Sequence, residues 1–290
     1  MPKLCTFHHA GTLRIGAVTD DGVVDLSEAA PELPTETCAL LAAGPDALRR
    51  VSRAVASATR RLPLDSVRLA SPVPRPPKFL AIGLNYSDHV AEAKLETPKL
   101  PVVFTKQVTC VTGPYDDVHL PRASSLLDYE GELGFVVGRR CRHVPRDRAH
   151  EVIAGYLVAD DVSVRDWQLR VSQWTMGKSF DTHGPLGPWL TTADAIDPGA
   201  LALRTWVNGE LRQESNTRNL IFDCAAIVEY LSTSFTLEPG DVVVTGTPGG
   251  VGGAMQPPQF LKVGDVVKVE IEGLGAVENR VIAEPDTAVI

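Results

Sequence analysis

Two glutamates, Glu130 and Glu132, stand two residues apart at the start of an apolar run that continues to Val137. Side chains at positions i and i+2 of an extended chain share a face, so a strand here would bring both carboxylates together. Adjacent carboxylates repel one another unless a cation lies between them or one is protonated. Mg²⁺ and Mn²⁺ prefer carboxylate oxygens, so the pair is a candidate metal site. An exposed strand face that happens to carry alternating glutamates is the ordinary alternative.

A second pair of acids, Asp160 and Asp161, follows an apolar strand that we predict over residues 153–158. Neighbouring strand residues point to opposite faces, so only one of these aspartates can join the glutamates as a third ligand. The pattern leaves open which one it is. The alternative is that both simply cap the strand.

A candidate general base lies in the polar stretch after the predicted strand 79–83, where His89 and Glu92 are three residues apart. In a helix these two positions share a face, so the carboxylate would orient the imidazole and raise its basicity. Such a pair can move a proton in catalysis. A surface turn with an incidental ion pair is the alternative, and for this segment taken alone it is the more frequent one.

Two further segments offer groups that bind anions. Lys178 stands among small and aromatic residues, and its ammonium could neutralise a developing enolate or oxyanion, although a lone lysine is most often solvated. Residues 238–253 form a predicted strand that runs into a glycine-rich loop. The loop lacks the spacing of a P-loop or of a dinucleotide fingerprint. Its backbone amides and Thr247 could still hold a small carboxylate.

Composition restricts the class of partner. The 290 residues carry a formal net charge of −8, which argues against nucleic acid or an anionic membrane as a partner. The five cysteines are scattered without a CxxC motif, as is typical of reduced thiols. No apolar run is long enough to span a membrane, and the first residues lack the apolar region of a signal peptide. We therefore expect a cytoplasmic protein.

A proline-dense joint at residues 69–77 predicts two domains, a small N-terminal α+β domain over 1–70 and a main domain over 71–290. The first domain has predicted strands at 4–7, 13–18 and 23–26 and helices at 38–43 and 46–61. The second has predicted strands at 79–83, 133–137, 153–158, 203–207, 241–245, 266–271 and 276–281 and one clear helix at 221–232. Because strands and helices do not alternate regularly, we expect a mainly antiparallel β architecture.

Taken together, these segments resemble the fumarylacetoacetate hydrolase family, from Gly83 to Val281. The matching motifs are Val111–Tyr115, the Glu130/Glu132 strand, Asp161–Gln168, Gly177–Asp181, Gly184–Pro188, Val207–Glu210, Ser215–Thr217 and Thr245–Pro248. The segment 256–265 is most similar to the subgroup of fumarylacetoacetate-hydrolase-domain protein two. The resemblance implies a mainly β, α+β fold, in which a mixed β-sandwich and β-roll catalytic domain follows the small N-terminal domain, and generally a homodimer.

The resemblance also implies roles for individual residues. It assigns the metal ligands to Glu130, Glu132 and Asp161, the base dyad to His89 and Glu92 on a loop that closes as a lid, the oxyanion lysine to Lys178, and substrate binding to Gln168, Thr247 and Arg165. It thereby selects Asp161 over Asp160. Asp160 stands where relatives often have asparagine, and we expect this extra acid to face away from the ligands.

The activity implied is that of a Mg²⁺- or Mn²⁺-dependent enzyme acting on a small 2-oxo or 2,4-dioxo acid. Hydrolysis of a carbon–carbon bond in an acylpyruvate or fumarylpyruvate-type substrate is the leading interpretation. Keto–enol tautomerisation or decarboxylation of oxaloacetate, or a 2-hydroxymuconate-type isomerisation, is the alternative. A non-catalytic protein that binds a metal or an oxo acid is the alternative outside the enzymes, and the set of candidate catalytic residues argues against it.

Overall fold

A computed structural model describes residues 3–87 and 96–286. Its strands are β1 (Lys3–His9), β2 (Thr12–Thr19), β3 (Gly22–Asp25), β4 (Arg68–Ala70), β5 (Phe79–Gly83), β6 (Val102–Lys106), β7 (Val111–Thr112), β8 (Val118–Leu120), β9 (Leu127–Asp128), β10 (Gly131–Val137), β11 (Ile153–Asp160), β12 (Ser163–Val164), β13 (Gly184–Thr192), β14 (Ala202–Val207), β15 (Glu210–Asn216), β16 (Val242–Val244), β17 (Val266–Ile271) and β18 (Gly275–Ala283). The α-helices in these ranges are α1 (Leu26–Ala29), α2 (Thr37–Ala42), α3 (Pro45–Ser57), α4 (Arg165–Gln168) and α5 (Cys224–Ser234).

The strands form one large sheet and two smaller ones. The large sheet has the order β3-β2-β1-β13-β11-β10-β16-β5-β6, with β4 beside β1 and β7 beside β13. A five-stranded sheet has the order β15-β14-β17-β18-β8, and β9 pairs with β12 alone. Most neighbours are antiparallel; the parallel pairs are β5 with β16, β7 with β13, and β8 with β18. The prediction of a mainly β fold with a small N-terminal α+β region is confirmed.

Strand β10 lies in the middle of the large sheet, and all seven of its residues are buried. It pairs with β11 on one side, with Leu133 opposite Val158, and with β16 on the other, with Phe135 opposite Val243. Val and Phe suit such a doubly buried strand because they pack on both faces of the pleat. The strand is therefore a rigid support for the carboxylates at its beginning.

The structure differs from the sequence prediction at helix α3 and at strand β13. Helix α3 ends at Ser57 rather than at residue 61, because Ala58 has an extended backbone with ψ of 128°. Strand β13 was not predicted, although it lies beside β11 near the centre of the large sheet. Its Pro185 and Pro188 are residues that the sequence pattern associates with turns, since proline cannot donate a ladder hydrogen bond.

The N-terminal strands extend the large sheet, because β1 pairs with β13 at Lys3 opposite Thr191 and Leu4 opposite Leu190. One buried cluster contains both Leu40 of helix α2 and Val136 of β10. The division into two domains near residue 70 remains a prediction. Within 3–87 and 96–286, every helix is too short or too polar to cross a membrane.

Candidate active site

The acidic residues predicted as metal ligands come together. Glu130, Glu132 and Asp161 are all buried, and each offers a carboxylate oxygen within 4.8 Å of the oxygens offered by the other two. The pairing of β10 with β11 explains this arrangement, since Gly131 lies opposite Asp160 and the backbone N–H of Asp161 donates to the carbonyl of Glu130 (2.9 Å). The chain thus places Asp161 beside the two glutamates.

Asp160 has a different role in the structure. Its Oδ1 accepts a hydrogen bond from the backbone N–H of Glu130 (2.8 Å), so it supports the main chain of the glutamate pair. Burial raises the pKa of Asp160 to about 7. Asp160 is not part of the carboxylate cluster.

Two buried lysines contact the cluster. Lys178 Nζ donates to Glu130 Oε2 (2.6 Å) and to Asp161 Oδ2 (2.8 Å). Lys106 on β6 donates to Asp161 Oδ1 (2.6 Å) and also to the carbonyl of Lys178. Lys178 follows Gly177, where a Cβ would lie 2.1 Å from the backbone nitrogen of Gln168. Only glycine permits this close approach, which brings Lys178 beside helix α4.

The two glutamates have opposite electrostatic surroundings. Burial alone would raise the pKa of Glu130, but the charges of Lys178 and Arg165 outweigh it and lower the pKa to about 2. Burial and repulsion from Asp161 and Glu130 raise the pKa of Glu132 well above its ordinary value. Within the described residues, the Glu132 carboxylate accepts a hydrogen bond from the backbone N–H of Gly246 (2.6 Å). Negative charge in the cluster is therefore least compensated at Glu132.

Arg165, which is predicted to bind substrate, is held by the carboxylates of Asp128 and Glu130. Its Nε donates to Asp128 Oδ2 (2.8 Å), and its Nη1 donates to Glu130 Oε1 and to Gln168 Oε1 (2.9 Å). Asp128 is fully buried and also accepts from the backbone N–H groups of Gly252 and Gly253 (both 2.8 Å). The Asp128 carboxylate thus connects the Arg165 guanidinium to the glycine-rich loop.

Thr247 is buried beside the cluster in a network with Gln213. The Thr247 hydroxyl donates to the carbonyl of Gly131 (3.0 Å) and accepts from Gln213 Nε2 (2.8 Å). Gln213 Oε1 in turn accepts from the backbone N–H of Gly131 (3.0 Å). In this arrangement the hydroxyl hydrogen of Thr247 can reach a substrate carboxylate only by leaving Gly131.

The cluster opens into a cavity of about 550 Å³. Its charged and polar lining comes from Glu130, Glu132, Arg165, Asp166, Gln168, Lys178 and Thr247. The rest is apolar or glycine: Ile82, Gly83, Leu84, Phe104, Leu126, Leu169, Trp174, Val251, Gly253, Ala254 and Phe260. This volume accommodates a small carboxylic acid with its acidic head at the cluster.

The cavity is thus lined by six of the nine site residues predicted from sequence, and Asp161 accepts a hydrogen bond from Lys178 of this lining (2.8 Å). His89 and Glu92 lie outside the described residues. Sequence reasoning missed Lys106, Asp128 and Gln213, which contact the site through partners distant along the chain. For Asp128 the only sequence signal was its position two residues before Glu130.

The chemistry of the cluster fits a divalent metal. Three buried carboxylates supply hard oxygen donors, and burial together with repulsion from Asp161 and Glu130 raises the pKa of Glu132 well above its ordinary value. A divalent cation would relieve this repulsion. Glu130, Glu132 and Asp161 are the residues that would hold it.

We predict that Asp128→Asn weakens substrate binding while leaving metal binding intact. The asparagine side chain has an NH₂ group in place of one carboxylate oxygen, and this group would face N–H donors that now donate to Asp128. Arg165 would therefore lose its fixed position. KM should rise about tenfold, with a loss of about 1–3 kcal/mol in the free energy of unfolding. Steady-state kinetics, thermal unfolding and Mn²⁺ titration check this, with the exposed Asp147→Asn as control. A change in unfolding alone, with KM unaltered, would limit Asp128 to a structural role.

Comparison with known proteins gives consistent matches. Residues 78–282 match the family model described as "Fumarylacetoacetate (FAA) hydrolase C-terminal". The chain is 42% identical over 274 residues to "Oxaloacetate tautomerase fahd2, mitochondrial" of Xenopus laevis, covering 93% of this chain and 86% of the relative. It superimposes on a fumarylacetoacetate hydrolase from Exiguobacterium antarcticum with TM-score 0.87, 35% identity and coverage of 98% and 100%. It also superimposes on the maleylpyruvate hydrolase of Sphingobium sp. SYK-6, a complex with manganese(II) and pyruvate, with TM-score 0.81, 31% identity and coverage of 98% and 100%.

Proposed function

Because the chain belongs to the fumarylacetoacetate hydrolase family and is an enzyme of that family, a hydrolase or a tautomerase/isomerase, we propose that it enolises a 2-oxo acid at a divalent-metal site. The observation that carries this proposal is the buried cluster of Glu130, Glu132 and Asp161, of which the two glutamates line an open cavity. A 2-oxo acid places its carboxylate and keto oxygens side by side, as a chelating ligand requires.

The proposed cofactor is Mg²⁺, with Mn²⁺ as the alternative, held by the three carboxylates. Bound there, the ion would supply Lewis-acid polarisation of the substrate's oxygens. The manganese(II) and pyruvate in the Sphingobium hydrolase support both the type of metal and the type of substrate.

Lys178 is proposed to stabilise the enolate. Its ammonium is buried, lines the cavity and makes two hydrogen bonds to carboxylates, which leaves one of its three donors for a substrate oxygen. A positive charge in a buried site stabilises a developing anion more strongly than the same charge in water. Gln168, Arg165 and Thr247 are proposed to orient the substrate, and the first two already hydrogen-bond each other.

His89, paired with Glu92, is proposed as the general base that moves the proton at C3 or activates water. His89→Ala should keep metal binding and lose at least about two decades of turnover. In the wild type, the rate should fall as the pH drops through the range in which imidazole groups become protonated, because the protonated ring cannot accept a proton. The pH–rate profile and Mn²⁺ titration of both proteins check this. Near wild-type turnover in His89→Ala would assign the base elsewhere.

The leading reaction is hydrolysis of an acylpyruvate or fumarylpyruvate-type acid. Water activated by the base bonds through its oxygen to C4, the C3–C4 bond breaks, and its electron pair passes to C3 as the enolate of pyruvate. A proton then adds to C3. The products are pyruvate and the carboxylic acid of the acyl group, and no redox partner is needed.

Keto–enol tautomerisation of oxaloacetate is a second candidate, favoured by the name of the Xenopus laevis relative. It requires the same enolate but no attack of water, because only a proton moves between C3 and the keto oxygen. Decarboxylation of oxaloacetate and a muconate-type isomerisation would pass through the same kind of enolate.

A panel assay tests the proposal and separates its branches. Acylpyruvates, fumarylpyruvate, enol-oxaloacetate and a 2-hydroxymuconate-type diacid are each followed by absorbance with Mg²⁺ and with a chelator. Metal-dependent release of pyruvate identifies the hydrolase, and faster loss of the enol of oxaloacetate identifies the tautomerase. Absence of metal-dependent turnover across the panel would contradict the proposal.

We also propose a cytoplasmic homodimer. The cysteines, all within the described ranges and all free, support a reducing compartment. The homodimer is supported by the family resemblance alone.

A further inference from the structure

Gln213 is a buried side chain that reaches the active site from the five-stranded sheet. It lies on β15 and is only 1% exposed. Two glycines permit its approach. A Cβ at Gly131 would lie 2.3 Å from the Thr205 hydroxyl, and a Cβ at Gly250 would lie 2.1 Å from the backbone carbonyl oxygen of Arg212. The backbone between the two glutamates and the glycine-rich loop therefore both lie directly against β14 and β15.

The orientation of the Gln213 amide is fixed by its partners. Its Oε1 accepts a hydrogen bond from the backbone N–H of Gly131 (3.0 Å). Its Nε2 donates to the Thr247 hydroxyl (2.8 Å) and to the carbonyl of Pro248 (3.0 Å). A flipped amide would place its oxygen against the Pro248 carbonyl and its NH₂ against the Gly131 N–H, and neither pair can form a hydrogen bond. Gln213 must therefore donate to Thr247.

This fixed direction determines what the Thr247 hydroxyl can do. A hydroxyl has one hydrogen, and an oxygen that accepts from Gln213 must point that hydrogen elsewhere. In the structure the hydrogen goes to the carbonyl of Gly131 (3.0 Å). A substrate carboxylate in the cavity that Thr247 lines is a charged acceptor, which forms a stronger hydrogen bond than a neutral carbonyl does. It can therefore draw the hydrogen away from Gly131 while the bond from Gln213 remains.

We propose that Gln213 is a positioning residue for the reaction, because it keeps the Thr247 hydroxyl a donor toward the substrate carboxylate. Its amide holds the Thr247 oxygen in place and polarises the O–H bond, since hydrogen bonds in a chain strengthen one another. Its other bond holds the N–H of Gly131, which lies between the two glutamates of the cluster. One side chain thus connects the substrate-binding hydroxyl to the backbone of the metal ligands. This inference rests on the proposed function, in which Thr247 orients the substrate.

A double-mutant cycle between Gln213→Met and Thr247→Val tests this inference. The measured quantity is KM for deuterium exchange at C3 of pyruvate with saturating Mn²⁺. Gln213→Met should raise KM about fivefold or more and lower kcat by a smaller factor, because a hydrogen bond that orients a binding group is lost. In the Thr247→Val background the same substitution should change KM by less than about twofold, since the hydroxyl on which it acts is absent. The exposed Gln107→Met, with KM unaltered, is the control.

A general disturbance of the fold would give a different result. Gln213→Met also removes the partner of the Gly131 N–H and of the Pro248 carbonyl, so the free energy of unfolding should fall in both backgrounds. The cycle cancels this common effect. An equal rise of KM in both backgrounds, or no rise in Gln213→Met, would mean that Gln213 does not act through Thr247 and would overturn the inference.

Thr247→Ser provides a second measurement that leaves Gln213 intact. Serine lacks the γ-methyl group that restricts χ1 in threonine, so the bond from Gln213 must fix the direction of its hydroxyl. KM should stay within about threefold of the wild type, whereas Thr247→Val should raise it about tenfold. A loss in Thr247→Ser as large as that in Thr247→Val would show that the methyl group positions the hydroxyl, and the role of Gln213 would be overturned.

Failure of this inference is distinguishable from failure of the proposed function. Exchange at C3 by the wild type, together with independent effects of the two substitutions on KM, would overturn the role of Gln213 and leave enolisation standing. Absence of exchange in the wild type would overturn the proposed function, and the role of Gln213 with it.

Discussion

Glu132→Gln is expected to abolish turnover of every 2-oxo acid substrate and to remove the thermal stabilisation that Mg²⁺ or Mn²⁺ gives the wild type. The neutral amide is a poor ligand for a hard cation, and the remaining carboxylates, Glu130 and Asp161, already contact lysines. A ligand that binds only the native state stabilises it by about 2.7 kcal/mol at roughly one hundred times its Kd. That increment should be absent in the variant.

Glutamine can retain the hydrogen bond from the Gly246 amide, so the metal-free variant should fold. Because burial and its acidic neighbours raise the pKa of Glu132, a neutral side chain of the same shape should cost the metal-free protein little stability. The exposed Glu36→Gln is the control. Thermal unfolding with and without Mn²⁺, together with the panel assay, measures both effects. Full metal-dependent stabilisation in Glu132→Gln would exclude this residue as a ligand.

Lys178→Met should lower kcat by about 10²–10³, the usual effect of removing one oxyanion donor. Metal affinity should be unchanged or higher, because an ammonium that competes for the oxygens of Glu130 and Asp161 is gone. The expected result is therefore a protein that binds metal and substrate but turns over slowly. Single-turnover kinetics and Mn²⁺ titration on the metal-loaded protein check this.

Lys106→Met is the matched control, because Lys106 contacts Asp161 as Lys178 does but does not line the cavity. Breaking this buried pair should lower the free energy of unfolding by about 3–5 kcal/mol, with a smaller effect on kcat in the metal-loaded protein. Lys178→Arg keeps the charge and reports on geometry alone. Equal losses of kcat in the two methionine variants would mean that Lys178 has no special part in catalysis.

The glutamate pair could be predicted from sequence because an extended chain places residues i and i+2 on one face, and Glu130 directly precedes β10 while Glu132 lies within it. The same rule could not choose between Asp160 and Asp161, and the family resemblance selected the residue that the structure places beside the pair. Lys106 could not be found, since a lysine in a strand gives no local sign that its ammonium is buried. Strand β13 was not predicted because it contains prolines, which favour turns. Its pairing with β1 and β11 overrides this preference.

Long-range contacts explain most of what the sequence did not predict. Asp128 reaches the amides of Gly252 and Gly253, and Gln213 reaches Thr247 and Gly131, across separations that no local periodicity encodes. These residues hold the groups that face the cavity. A pattern of residue types therefore revealed the candidate ligands but not their supports.

Enolisation of a metal-held 2-oxo acid is the central claim, and exchange of the C3 hydrogens of pyruvate in D₂O measures it most directly. Pyruvate lacks a C4 group, so neither hydrolysis nor decarboxylation competes with proton transfer. Proton NMR should show loss of the methyl signal with wild-type protein and Mg²⁺ or Mn²⁺, and the exchange should stop with a chelator or in Glu132→Gln. Exchange no faster than in buffer, or exchange that persists without metal, would contradict the account.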